Sequence, residues 1–71
     1  MVTIGEKILL LRRKRKMSQN ALAEVMGCWQ INISNWESER FEPSVYYLIK
    51  LADFFNVSLD ELCCRDFKGG K

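Results

Sequence analysis

The side chains in this sequence best suited to molecular recognition are carboxamides and guanidinium groups, not nucleophiles. Gln30, Ile31, Ser34 and Asn35 recur at a spacing that places them on one face of a helix, and that face carries neither lysine nor glutamate. A glutamine or asparagine amide offers a donor and an acceptor side by side, the pattern that meets adenine N6 and N7 in the major groove of DNA. An apolar side chain such as Ile31 can meet a thymine methyl. Amides on a helix surface are also commonplace, so this face alone leaves base reading and plain solvation both open. The sequence holds no histidine, which removes the commonest general base and the commonest metal ligand. Its three cysteines are an odd number, with Cys28 isolated and Cys63 adjacent to Cys64, so neither a closed disulfide framework nor a zinc spacing is present. The thiols are expected to be small apolar residues in a reducing compartment. No metal, no cofactor and no enzymatic activity are expected.

Charge sharpens the reading once it is divided along the chain. Residues 1–36 hold Lys7 and the run Arg12, Arg13, Lys14, Arg15 and Lys16 against only Glu6 and Glu24. Residues 37–71 hold Arg40, Lys50, Arg65, Lys68 and Lys71 against seven acidic residues. A basic N-terminal half facing a polyanion is one consequence of this polarity. A solvated helix end that complements the helix dipole is the other.

Short helices must position these groups. With 71 residues the chain is one domain or less. Its apolar runs, such as Ile8 to Leu11, are far short of the roughly 20 residues that span a bilayer. The basic run follows that stretch where a signal peptide would place it first. A cytoplasmic chain without membrane contact is expected. Thr3 with Glu6 forms a capping-box signature, and Ile4, Ile8, Leu11 and Arg15 follow at helical spacing, predicting a helix from about 4 to 15. Ser18 caps a second helix with Leu22, Ala23 and Met26 on one face, and Gly27 ends it. A third helix occupies about 30–37 and buries Ile33 and Trp36. Ser44 caps a fourth, with Val45, Leu48, Leu51, Ala52 and Phe55 on its inner stripe and Asn56 as its left-handed stop. Ser58 with Glu61 opens a short fifth helix carrying Leu59 and Leu62. The fold class is therefore all-α: a compact five-helix domain over residues 1–66, followed by a flexible tail at 67–71. Two eight-residue helices joined at Gly27 make a helix-turn-helix over about 18–38, where the small Ala23 lets the third helix cross close to the second.

The stretch Ser18 to Glu37, SQNALAEVMGCWQINISNWE, resembles the helix-turn-helix of the lambda-repressor-like (Cro/cI, XRE) DNA-binding domains. The resemblance extends through IGEKI at 4–8, Leu11-Arg12, Pro43-Ser44 and VSLDEL at 57–62, all in order. It implies base-reading positions at Gln30, Ile31, Ser34 and Asn35. It also implies backbone contacts from Gln19, at the start of the second helix, and from Ser38 and Arg40 beyond the third. Arg12 and Glu37 match an arginine–glutamate pair that ties the first helix to the end of the third. The family's usual dimer contact falls here on Val57, Leu59, Cys63 and Phe67.

Three features depart from the family pattern. Trp29 stands where a serine or threonine usually caps the third helix, a loss of roughly 1 kcal/mol. It is expected either to stack on the DNA backbone or to pack on the second helix. Glu39 stands where glycine is frequent. Leu9 and Leu10 fall at usually polar positions and, with Tyr46, Tyr47, Ile49 and Phe54, exceed what one small core needs, which suggests a protein partner or ordinary exposed apolar residues. The expected function is sequence-specific binding of double-stranded DNA by a transcriptional regulator, a repressor, acting as a homodimer on an operator with two half-sites. The alternative is an antitoxin-type interaction module that also binds its own promoter.

Overall fold

The computed structural model describes residues 3–63. The tail at 67–71, Cys64 and the expected dimer contact Phe67 lie outside the described residues. Five helices follow one another: α1 (Ile4–Lys14), α2 (Gln19–Met26), α3 (Gln30–Glu37), α4 (Val45–Phe55) and α5 (Leu59–Cys63), and there is no strand among the described residues.

Local chemistry sets most of the boundaries. Thr3 Oγ1 accepts the Glu6 backbone N–H at 3.2 Å while the Glu6 carboxylate accepts the Thr3 N–H at 3.2 Å, a complete capping box. Ser18 Oγ accepts the Ala21 N–H (3.0 Å) and Ser58 Oγ accepts the Glu61 N–H (3.0 Å), so α2 and α5 each begin on a serine. Gly27 (φ 74°) and Asn56 (φ 58°) take the left-handed conformation that ends α2 and α4. Ser44 occupies the N-cap of α4, but its side chain makes no capping hydrogen bond. α1 ends at Lys14, with Arg15 as its cap residue, one position earlier than its spacing predicts.

One apolar cluster joins the helices. Ile8, Leu22, Ala23, Met26, Ile33, Trp36, Leu51, Ala52, Phe55 and Leu62 are buried together. α1 lies against α3 and α5, and α2 lies against α3 and α4. Val45 is an exception to the predicted inner stripe of α4. It is 69% exposed, because it sits in the first turn of the helix, beyond the part that the other helices cover. Ala23 is buried in the common core, and α2 packs against α3.

A second close approach involves Gly5. A Cβ at this position would stand 2.4 Å from the Trp36 carbonyl oxygen and 2.9 Å from that of Glu37, so only glycine lets α1 meet the end of α3. Both obstacles are backbone and cannot swing aside. Gly5→Ala is expected to lower stability by about 1–2 kcal/mol, since a clash with two fixed backbone oxygens puts the overpacking cost at the upper end of about 1–3 kcal/mol, above alanine's helix-propensity gain of about 1 kcal/mol. Urea denaturation measures this directly, and an unchanged or raised midpoint would show that the two helices separate without cost.

Candidate nucleic-acid interface

The turn between α2 and α3 is closed by backbone and side-chain hydrogen bonds. The Cys28 N–H donates to the Ala23 carbonyl (3.0 Å), and Lys50 on α4 donates from Nζ to the Met26 carbonyl (2.9 Å). These bonds satisfy carbonyls that the end of α2 would otherwise leave open. The Cys28 side chain is half-buried beside this turn. Burial pushes its thiol pKa up and the nearby Lys50 charge pulls partly against that, so the neutral thiol is favoured.

α3 then begins without the family's side-chain cap. Instead Asn32, in the first turn, reaches back so that its Oδ1 accepts the Trp29 N–H at 3.2 Å. Trp29 is 79% exposed, so it is not packed away on α2. Ile33 and Trp36 anchor α3 in the core. That anchoring turns Gln30 and Ile31 to solvent, Ile31 at 58% exposure, with Ser34 and Asn35 half-buried one turn further on.

Beyond α3 the chain folds back over the helix end. The Asn35 carbonyl accepts the Arg40 N–H (2.9 Å) and the Phe41 N–H (3.4 Å), while Ser38 Oγ donates to the same oxygen (3.3 Å). Ser38 and Arg40 are exposed along this loop. Glu39 takes φ 67°, the left-handed region that glycine occupies freely. A residue with a Cβ pays roughly 1–2 kcal/mol there, which accounts for glycine being usual at this position. The Glu39 carboxylate accepts the Thr3 hydroxyl and is thereby drawn toward the start of α1.

Arg12 and Glu37 form the expected pair, and the pair is bidentate. Arg12 Nε donates to Glu37 Oε2 at 2.6 Å and Nη2 to Oε1 at 3.0 Å, with the two side chains only 12% and 7% exposed. Arg12 Nη1 also donates to the Met17 carbonyl at 2.7 Å, so one guanidinium fixes the α1–α2 turn as well as α3. The hydrogen bond to Glu37 raises the Arg12 pKa, burial opposes it, and the Glu37 charge adds to the rise. Gln19 joins the same carboxylate: its Nε2 donates to Glu37 Oε1 at 2.9 Å, and its Oε1 accepts from Gln30 Nε2 at 2.5 Å. The sequence pairs Arg12 with Glu37 only through the family pattern. Nothing in it announces that Gln19 and Gln30 continue the chain.

The basic run divides by role. Arg12 is in the ion pair, and the Arg15 guanidinium lies 4.7 Å from the Phe54 ring centre and 5.4 Å from that of Phe55, within cation–π reach of both. Arg13, Lys14 and Lys16 are exposed. Val57 and Cys63 are half-buried and Leu59 is exposed, all on α5 or the connection leading to it. Leu10, Tyr46 and Ile49 are exposed while Leu9, Tyr47 and Phe54 are half-buried, so the apolar excess is split between surface and core edge. Among the described residues there is no group of three or more cysteines and carboxylates placed to hold a metal ion. No helix among them is long and apolar enough to cross a membrane.

Comparison with known proteins places this geometry in context. Residues 8–62 match a protein-family model described as helix-turn-helix. The chain is 31% identical over 65 residues to the HTH-type transcriptional regulator ImmR of Bacillus subtilis, covering 92% of this chain and 51% of that protein. It is 35% identical over 63 residues to Repressor protein C2 of Salmonella phage P22, covering 89% of this chain and 29% of that protein. It thus spans about half or less of the length of these relatives. Among solved structures, the P22 c2 repressor in complex with a synthetic operator superposes with a TM-score of 0.85 at 33% identity, covering 93% of this chain and all of that one.

Proposed function

This chain belongs to the helix-turn-helix family, and from that premise we propose that it binds double-stranded DNA sequence-specifically and regulates transcription, acting as a repressor. The observation that carries the reading is the outward face of α3: two amide side chains, an exposed isoleucine and a serine on a helix whose opposite side is anchored by Ile33 and Trp36. In this proposal Gln30, Ile31, Ser34 and Asn35 face base edges in the major groove. Gln19, Trp29, Ser38 and Arg40 flank them and meet the sugar-phosphate backbone. Gln19 is suited to that role because its amide nitrogen, with one N–H on Glu37, keeps a second N–H for a phosphate oxygen. The P22 relative is a repressor whose structure holds an operator, which supports the same class of ligand for this chain. A site of action in the cytoplasm, where bacterial and phage DNA is read, follows from the same reading.

The working unit is proposed to be a homodimer. One recognition helix in one groove reads only about four or five base pairs, too few to single out a genomic site. Val57, Leu59 and Cys63 form a small apolar surface near α5 that suits a weak contact between copies, one that assembles fully on DNA. Nuclease protection of bound duplexes tests both parts. The expected footprint is two-fold related, with half-site centres about 34 Å apart and cooperative filling as protein is added. Protection of one half-site by one chain without cooperativity contradicts the dimer, and absence of protection at low salt contradicts DNA binding itself.

A further inference from the structure

Tyr46 and Tyr47 exceed what a small core needs, and in the structure both lie along one line of contacts that starts at Lys50. We propose that Lys50 is a positioning residue for DNA binding: with these two rings it braces α4 against both ends of α3 and so fixes how α3 enters the groove. The inference rests on the DNA-reading function proposed above.

The brace begins at the end of α2. The last turn of that helix holds no basic residue, and Glu24 stands there, where the helix dipole disfavours a negative charge. The missing positive charge arrives from α4, whose Lys50 Nζ donates to the Met26 carbonyl at 2.9 Å. Tyr46 and Lys50 are four residues apart and so share one face of α4. The Tyr46 ring centre lies 5.3 Å from the ammonium, which is thereby held between a carbonyl and a ring. Tyr46 meets Tyr47 edge-on, with ring centres 5.0 Å apart. Tyr47 in turn lies 5.2 Å from Trp36, in the last turn of α3. One cation and three rings thus run from the turn before α3 to the end of that helix.

The consequence for DNA is geometric. Gln30 stands in the first turn of α3 and Asn35 in its second. Both meet base edges only while the helix axis keeps one tilt, because a pivot about either end lifts the other from the groove. Ile33 and Trp36 anchor the middle and end of α3 in the core. Its first turn has no buried apolar residue, since Gln30 and Ile31 are exposed and Asn32 is half-buried. Lys50 steadies that end through the turn. The brace therefore acts on binding that needs both ends of α3 seated, whereas a phosphate contact acts on every sequence alike.

Three substitutions separate these behaviours. Lys50→Met keeps the apolar stem and removes the charge and the donor, and Lys50→Arg restores both. Tyr46→Leu breaks the run of rings at an exposed side chain, where the fold has little to lose. Affinities for the preferred duplex and an unrelated one are measured over a range of salt, at a temperature where circular dichroism shows each protein folded. With the brace, Lys50→Met weakens binding to the preferred duplex on the order of tenfold, the size of one lost base contact. Tyr46→Leu gives a smaller loss of the same kind, and Lys50→Arg recovers most of it. Binding to the unrelated duplex, and its salt dependence, stay unchanged. Equal weakening on both duplexes with a shallower salt dependence would make Lys50 a phosphate contact and overturn the brace. Full affinity in folded Lys50→Met and Tyr46→Leu would overturn it as well. Tyr46→Leu decides the question even where Lys50→Met does not fold. Amide exchange in the free protein tests the brace without DNA: the hydrogen-bonded Cys28 and Trp29 amides should quicken in Tyr46→Leu more than those of α1. Unchanged exchange there contradicts the brace, whereas an intact chain with no sequence preference contradicts the DNA-reading function on which it rests.

Discussion

Replacing Glu37 with alanine is expected to lower the free energy of unfolding by about 3–5 kcal/mol, the usual cost of removing one partner from a buried ion pair. The substitution strands the Nε and Nη2 groups of an Arg12 side chain that is only 12% exposed, leaving its bond to the Met17 carbonyl as the remaining contact. It also deprives Gln19 of its acceptor. A chain of this length has roughly 4–10 kcal/mol of stability in all, so the variant should be partly unfolded at physiological temperature. Arg12→Ala should cost a similar amount, and the double variant should cost clearly less than the two together. Because water is largely excluded from the pair, added salt should weaken it little. Urea titrations of the four proteins followed by circular dichroism give the coupling. A Glu37→Ala variant within about 0.5 kcal/mol of the intact chain would mean that the pair is decoration and that the core alone positions α3.

Gln30→Ala is expected to weaken binding to the preferred duplex by about 1–3 kcal/mol while leaving the fold intact. The side chain is exposed and its protein contact is a single bond to Gln19, so little of the structure depends on it. Asn35→Ala should behave in the same way one turn along. The loop after α3 hangs on the Asn35 carbonyl, which the substitution retains. Arg40→Ala should weaken all duplexes nearly equally, because a guanidinium on a phosphate carries no sequence information. Binding isotherms on preferred and unrelated duplexes separate the two behaviours. Equal loss on both duplexes for Gln30→Ala would place that residue on the backbone.

Much of this arrangement is legible in the sequence because its causes are local. The Thr3–Glu6 box, the Ser18 cap, the glycine stop at 27 and the left-handed Asn56 each depend on residues within one turn, and each sits in the structure where the sequence places it. The buried faces of α2 and α3 follow from spacing alone. What escapes is whatever depends on how far neighbouring helices extend, or on bonds between distant side chains. Periodicity puts Val45 on the inner face of α4 but says nothing about whether another helix covers that first turn. Trp29 has two environments open to it in the sequence, and only the folded chain leaves its ring in solvent. Gly5 carried a signal that could have been used: a glycine inside a helix costs about 1 kcal/mol and marks a close backbone approach. The link from Glu37 through Gln19 to Gln30 carried none, since its members lie 18 and 11 positions apart and belong to different helices.

Selection of duplexes from a random pool by the intact chain tests the central claim most directly, with Gln30→Ala carried through the same selection. If α3 reads DNA in the major groove, the enriched duplexes share a two-fold-related site, and Gln30→Ala loses selectivity at one base pair in each half-site while the rest persists. Enrichment of no sequence, or of the same sequence at full stringency by the variant, would contradict the account.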